Sequence, residues 1–274
     1  MSAPARVARK GAGMRDRVCV VTGGAQGIGR AAAMEMAARG GRVVVSDIDD
    51  AAGAATVAEI GGAGGEATYV HCDVRSRDDI RDLMDAAVQA YGGIDLLHNN
   101  AGIHESAISD TLMVHELDEE VWEEVYEINL RGTWLCTKYA APHLLSSKRS
   151  PAIVNASSTG GVLGYPMASA YGATKGGVIV LTKTTAIDLG PTVRCNCYCP
   201  AAVDTPMVSK YFETAEDPDA IIKALVGSHI IPRLGRPEEI AKLVCFLGSD
   251  DASWITGQSF IIDGGSLAWR GTNG

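Results

Sequence analysis

Tyr171 and Lys175 stand four residues apart in Tyr171-Gly-Ala-Thr-Lys175. On a helix such positions share a face, about 6 Å apart along the axis. A free Tyr titrates near ~10 and is a poor base at neutral pH. A neighbouring ammonium favours the phenolate and lowers that value. A Tyr tuned this way can take a proton from an alcohol while hydride leaves, and in reverse can return it to a carbonyl. Thirteen residues earlier lies Ser158, just after the apolar run Ala152-Ile-Val-Asn-Ala156. A hydroxyl at the carboxyl end of a strand can donate to a substrate oxygen and hold it near Tyr171. Ser157 competes for that role. A Ser-His-Asp hydrolase is the other nucleophile reading, and it fails because no GxSxG elbow is present.

A second constellation concerns phosphate. Thr22-Gly-Gly-Ala-Gln-Gly-Ile-Gly29 lies between an apolar run and a helical stretch. Gly23, Gly27 and Gly29 follow a GxxxGxG spacing. Missing Cβ atoms permit a tight turn and close approach of a pyrophosphate to the backbone. The following helix offers free N–H groups and a partial positive charge. Gln26 and Ile28 complete the loop. Asp47 comes 18 residues after Gly29, at the end of the next apolar run. A carboxylate there accepts hydrogen bonds from the adenosine ribose and repels a 2′-phosphate. Gln26 and Ile48 flank the pocket and bring no positive charge, so the expected cofactor is NAD. Arg30 and Arg42 are the nearest basic residues, and Arg30 swung toward the ribose would admit NADP as well.

These groups need elements to hold them. Strands are expected at Val18–Thr22, Arg42–Ser46, Thr68–Cys72, Ile94–His98, Ala152–Ala156, Val193–Cys199 and Ser259–Ile262. Helices are expected over Ile28–Arg39, Ala51–Ile60, Arg77–Tyr91, Leu117–His143, Ser169–Leu189 and Pro237–Leu247. Short apolar strands alternating with longer helices mean βαβ units. The strands are apolar throughout, as expected when both faces are covered. The fold class is therefore α/β, a single doubly wound parallel sheet with helices on both faces. Ligands on such a sheet bind outside the carboxyl ends of the strands, where both constellations fall.

The chain has 274 residues, enough to bury a core without disulfides or metal. A formal charge of −9 speaks against neutralising nucleic-acid phosphates or binding a membrane surface. No run approaches the roughly 20 apolar residues of a spanning helix. Residues 1–15 are basic, lack an apolar leader and read as a flexible tail, with one domain over 16–274. The seven Cys are odd in number and lack framework spacing, so they read as reduced thiols of a cytoplasmic protein. Cys195, Cys197 and Cys199 alternate along one strand, about 6.6 Å apart between neighbours. No fourth ligand sits at finger spacing, so no metal site is expected and the three pack as small hydrophobes.

Together these motifs resemble the short-chain dehydrogenase/reductase family, in its single-domain, Rossmann-like branch. The resemblance covers Arg17 to Gly265. It rests on Thr22–Gly29, Cys72-Asp-Val74, Asn99-Asn-Ala-Gly102, Ile128-Asn-Leu130, Ile153–Ser158, Tyr171–Lys175, Trp254-Ile-Thr-Gly257 and Asp263-Gly-Gly265. It implies a tetrad. Ser158 resembles the substrate-orienting serine, Tyr171 the acid/base, and Lys175 the residue that tunes it and binds the nicotinamide ribose. Asn129 resembles the asparagine that holds a proton-relay water. Asp73 and Val74 resemble adenine contacts, Asn100 and Gly102 the turn under the adenosine side, and Val203 and Thr205 contacts to the carboxamide end. The resemblance also implies a substrate lid over about 204–235 and a homotetramer. Met207, Tyr211, Phe212, Ile221 and Ile222 give the lid an apolar face, suited to an apolar or cyclic substrate.

Two departures stand out. Pro200-Ala201 replaces the family's Pro-Gly, and Ile103–Asp118 is a longer loop whose His104 and His115 read as surface residues. The expected partner is a small secondary alcohol or ketone, oxidised or reduced with NAD. A 3-ketoacyl-type ketoreductase using NADPH is the alternative. An enoyl reductase fits less well, because that branch resembles YxxxxxxK. A non-catalytic NAD-sensing protein is the alternative from a different class.

Overall fold

Val18–Thr22 forms β1, and every residue of it is buried. Cys19 and Val21 face one apolar cluster and Val20 faces another, so the strand is covered on both sides. These relations come from a computed structural model that describes residues 12–213, 217–269 and 271. The other strands are β2 (Arg42–Asp47), β3 (Glu66–His71), β4 (Leu96–Asn99), β5 (Ala152–Ala156), β6 (Arg194–Pro200) and β7 (Ser259–Ile262). Among the described residues they form one parallel sheet in the order β3-β2-β1-β4-β5-β6-β7. The doubly wound fold is thus present. Its order reverses between β1 and β4, which opens a crevice at the carboxyl edge.

One layer packs α1 (Gly27–Ala38) and α9 (Pro237–Gly248) on the sheet through Met36, Val45, Val154, Ile240 and Val244. The opposite layer carries α3 (Arg77–Tyr91) and α5 (Thr133–Ser146), with Ile80, Leu83, Leu97, Leu135 and Leu144 in its core. The remaining helices are α2 (Asp50–Gly62), α4 (Glu119–Tyr126), α6 (Ser169–Asp188), α7 (Pro206–Glu213) and α8 (Pro218–Val226). Asp49 caps α2 through Ala52 N–H, and Ser76 caps α3 through Asp79 N–H.

Several expectations are corrected. The single helix over Leu117–His143 is instead α4, a π segment at Glu127–Gly132, and α5. A π turn holds an extra residue and occurs often at functional sites; this one carries Asn129. Residues 1–11 of the expected tail lie outside the described residues. Ala12–Met14 form a short 3-10 turn, and Met14 is fully buried in the core, so the packed domain includes them. The apolar lid face is only partly described, because the side chains of Tyr211 and Phe212 lie outside the described ones. Cys195, Cys197 and Cys199 are all buried in β6. Among the described residues no group of three His, Cys, Asp or Glu is arranged to hold a metal ion, and no helix is long and apolar enough to cross a membrane.

Candidate active site

The glycine loop is tied down from behind. Gly23 and Gly27 have φ of +61° and +53°, the left-handed region that glycine adopts without strain. Gly29 needs its missing Cβ for another reason: a methyl group there would stand 2.0 Å from the Gly23 carbonyl oxygen. Asn100, just past β4, donates from Nδ2 to Thr22 O at 3.1 Å and Gly23 O at 2.9 Å. Its backbone N–H and that of Ala101 donate to the Thr22 hydroxyl. Asn100 therefore acts as a strut between β4 and the loop. Gln26 precedes α1 and makes no side-chain cap, so the helix leaves its first N–H groups to whatever enters the crevice. Ile28 is half-buried behind them and packs against the core. Thr205 stands against the other side of the loop, 3.3 Å from where a Gly27 methyl group would be.

At the far end of the loop, Asp47 is held by three backbone N–H groups. Its Oδ2 accepts from Ala25 at 3.0 Å, and its Oδ1 from Ile48 at 2.8 Å and Asp49 at 3.2 Å. Arg30 does not reach it, because its guanidinium is paired with Glu59 on α2. Arg42 starts the strand that Asp47 ends, and it faces Glu66 and Asp16. The Tyr69 hydroxyl lies 2.8 Å from both the Asp47 carbonyl and the Asp50 carboxylate. His71 and Tyr69 hold the Asp50 carboxyl below its ordinary range. Beyond β3, the Asp73 carboxylate is gripped by the Arg75 guanidinium, which lowers its pKa. Val74 is buried with its side chain against Gly132.

Ser158, Tyr171, Lys175 and Asn129, the expected tetrad, meet near the carboxyl ends of β4 and β5. Tyr171 and Lys175 share the first turns of α6, with the Lys175 Nζ 5.5 Å from the centre of the Tyr171 ring. Lys175 is 4% exposed and donates to the Ala156 carbonyl at 2.9 Å. Burial lowers its ammonium to about 8, against the opposing influence of Cys199. Gly102 borders both Lys175 and Asn129: a methyl group there would be 3.2 Å from Nζ and 3.1 Å from the Asn129 Oδ1. That turn, expected under the adenosine side, thus lies against Lys175 and Asn129. Asn129 is fully buried and clasps Ile103 twice, accepting its N–H and donating to its carbonyl, each at 2.8 Å. Ser158 and Tyr171 flank Gly160, whose absent methyl group would lie 3.4 Å from the Ser158 Oγ and 3.5 Å from the Tyr171 ring. Val203 is buried and bridges Gly235, so the two ends of the expected lid meet.

A family model described as enoyl-(acyl carrier protein) reductase matches residues 23–266. The chain belongs to the short-chain dehydrogenase/reductase family. It is 40% identical to cis-4-hydroxycyclohexanecarboxylate dehydrogenase of Sinomonas cyclohexanicum, over 94% of this chain and 99% of that one. It is 38% identical to the 3-oxoacyl-(acyl-carrier-protein) reductase FabG of Thermotoga maritima, over 92% and 98%. Among solved structures, the ligand-free aldohexose dehydrogenase of Thermoplasma acidophilum superposes with a TM-score of 0.83 at 35% identity, covering 94% of this chain and 96% of that one.

The structure separates two serines that compete for one role in this family. The Ser157 hydroxyl donates to the Lys175 carbonyl at 2.8 Å and so anchors α6 to β5. Ser158 sits at the edge of the cleft, its Oγ accepting the Gly160 N–H at 3.0 Å and keeping its own proton to donate. Ser158→Ala is expected to lower kcat by about 10²–10³-fold. Ser157→Ala should cost about 1 kcal/mol of stability and leave kcat within a few-fold. Steady-state rates and melting curves of both variants check this; the reverse pattern would exchange the roles.

His104 corrects an expectation. It is no surface residue: its side chain is 16% exposed and its ring centre lies 4.9 Å from that of Tyr171. Burial depresses its pKa, with Glu105 opposing. His115 is 68% exposed, as expected of a surface loop. Glu105 belongs to none of the motifs, yet it is fully buried and accepts the backbone N–H of Tyr171. Its only sequence signal is an acid close behind Asn99-Asn-Ala-Gly102, and loops carry no periodicity that would show which side is buried.

Proposed function

We propose that the protein is an NAD-dependent oxidoreductase that moves a hydride between nicotinamide and a secondary alcohol or ketone, with a cyclic or apolar carbon skeleton. The observation that carries this reading is the meeting of Ser158, Tyr171, Lys175 and Asn129 around Gly102 and Gly160. The uncapped start of α1 and the three-fold-held Asp47 carboxylate fit a dinucleotide. Gly23, Gln26, Gly27, Ile28 and Gly29 would hold its pyrophosphate, Asp47 its adenosine ribose, and Asp73 and Val74 its adenine, with Asn100 bracing the loop. Gly102, Val203, Thr205, Tyr171 and Lys175 would hold its nicotinamide half. When bound, NAD supplies the hydride acceptor. In oxidation, Ser158 donates to the substrate oxygen and orients it. Tyr171 removes the hydroxyl proton as the carbonyl forms. Lys175 stabilises, by its charge, the Tyr171 phenolate that accepts this proton. Asn129 would hold the water through which the proton leaves beside Lys175.

The cyclic substrate is supported by the relative that acts, by its name, on a hydroxycyclohexane carboxylate, and by the apolar Met207, Ile230 and Ile231 of the lid region, each more than a third exposed. Exposed Trp122, Trp134, Val180, Ile187 and Trp254 support a homotetramer that would cover them. The similarity to a 3-oxoacyl reductase keeps one alternative: NADPH-dependent ketoacyl reduction.

Reduced-nicotinamide absorbance separates the two, over cyclic alcohols, diols, sugars and 3-oxoacyl thioesters with each cofactor. The expected result is turnover of a cyclic alcohol with kcat/KM for NAD exceeding that for NADP by about 30–100-fold, the size of a close charge repulsion at a partly wet site. Asp47→Ser should narrow that gap at least ~10-fold. A preference for NADP in the unmodified protein, with thioester turnover, would move the ketoacyl reading ahead.

A further inference from the structure

Helix α6 starts without a cap of its own. Ala168 precedes it and provides no side-chain acceptor. The acceptor comes from 65 residues upstream: Glu105 Oε1 receives the Ala170 N–H at 3.1 Å, and Oε2 receives the Tyr171 N–H at 3.2 Å. Glu105 has no solvent exposure. A buried carboxylate costs several kcal/mol unless its oxygens are satisfied. Here the free N–H groups and positive end of a 20-residue helix satisfy them. An Asp or Ser at position 168 would cap the helix locally. The distant acid does something a local cap does not: it ties the turn bearing Tyr171 to the segment Gly102–Glu105. The other end of that segment is clasped at Ile103 by Asn129, and its Gly102 lies against Lys175. Between them, the His104 ring lies over Tyr171, with its Nδ1 accepting the Ser106 N–H at 3.2 Å.

We propose that Glu105 is a positioning residue for Tyr171: its buried carboxylate fixes the first turn of α6 against the Asn129-held segment, and its charge sets how readily Tyr171 gives up its proton. This rests on the acid/base reading of Tyr171. Among the described residues, the charged and titratable groups that face Tyr171 include Lys175 from α6, His104 and Glu105 from the segment, and Tyr198 from β6. Of these, Glu105 opposes the phenolate and Lys175 favours it. Removing the carboxylate charge therefore moves Tyr171 ionisation to lower pH.

The test compares Glu105→Ala, Glu105→Gln and Tyr171→Phe in the full chain, with kcat, KM and cofactor Kd measured across pH, and melting curves. Glu105→Ala is expected to lose about 10–100-fold in kcat, with cofactor Kd within about threefold. Glu105→Gln keeps an acceptor oxygen, so kcat should recover to within a few-fold. Its acid limb in the oxidative direction should move to lower pH by roughly half a unit or more. A plain helix cap would lower the melting temperature and leave that limb in place. An acid limb for Glu105→Gln that coincides with the unmodified protein overturns the proposal, including where the Ala variant fails to fold. If Tyr171→Phe is inactive while both Glu105 variants behave as the unmodified protein, this inference alone falls. If Tyr171→Phe retains turnover, the acid/base reading falls and takes the inference with it.

Discussion

Tyr171→Phe is expected to lower kcat by about 10²–10⁴-fold, the range that a positioned proton acceptor contributes, while cofactor binding stays within a few-fold. The substitution removes one oxygen and keeps the ring. That ring lies beside His104 and under the Lys175 ammonium, so packing in the cleft is preserved. The backbone N–H of residue 171 still reaches Glu105, so α6 keeps its cap. The loss should therefore appear in turnover and not in the melting temperature. Steady-state kinetics, cofactor fluorescence titration and a melting curve on the same preparation separate these effects. Turnover within tenfold of the unmodified protein would show that the proton goes elsewhere.

Gly29→Ala should abolish function by a different route. The added methyl group would stand 2.0 Å from the Gly23 carbonyl oxygen and 2.5 Å from the Asn100 Nδ2. The two obstacles are bonded to each other, Asn100 Nδ2 donating to the Gly23 carbonyl as well as to that of Thr22, so neither has room to yield. The loop must open, and the N–H groups that would receive a pyrophosphate lose their arrangement. We expect cofactor Kd to rise by about 100-fold or more and stability to fall by about 2–4 kcal/mol, as for other overpacked sites. Gly61→Ala is the control. Nothing lies within 4 Å of a methyl group there, and alanine in a helix should stabilise by about 0.5–1 kcal/mol. Titration of the two variants with NAD and NADP checks the pair. Unchanged cofactor affinity in Gly29→Ala would remove the loop from the binding site.

Much of this site was legible because its geometry is local. A glycine triplet between a strand and a helix makes its turn from its own φ angles, as Gly23 and Gly27 do. Tyr171 and Lys175 meet because the helical repeat brings residues four apart to one face. The solidly apolar strands announced a sheet covered on both sides, and the residues of β1 divide between two core layers. Asp47 was placed by its position at the end of β2, where a parallel sheet puts its ligand-facing residues.

Other features depend on partners far away in the chain. Ser157 and Ser158 are adjacent and chemically identical; their roles diverge because Ser157 meets the Lys175 carbonyl. The helical run expected over Leu117–His143 is unbroken from Glu119 to Ser146, but the π segment within it, which carries Asn129, lies where that side chain binds Ile103 and has no signal in the periodicity. His104 and Glu105 belong to a loop with no periodic pattern, and their burial follows from α6 packing over them. Short-range rules are enough for the fold class, the glycine loop and the Tyr–Lys pair, since backbone dihedrals and helical and strand periods act over a few residues. Which serine is left to face the cleft, the packing of His104 against Tyr171 and the capping of α6 by Glu105 follow from contacts across 18 to 67 residues, which depend on how the whole sheet and its helices close together.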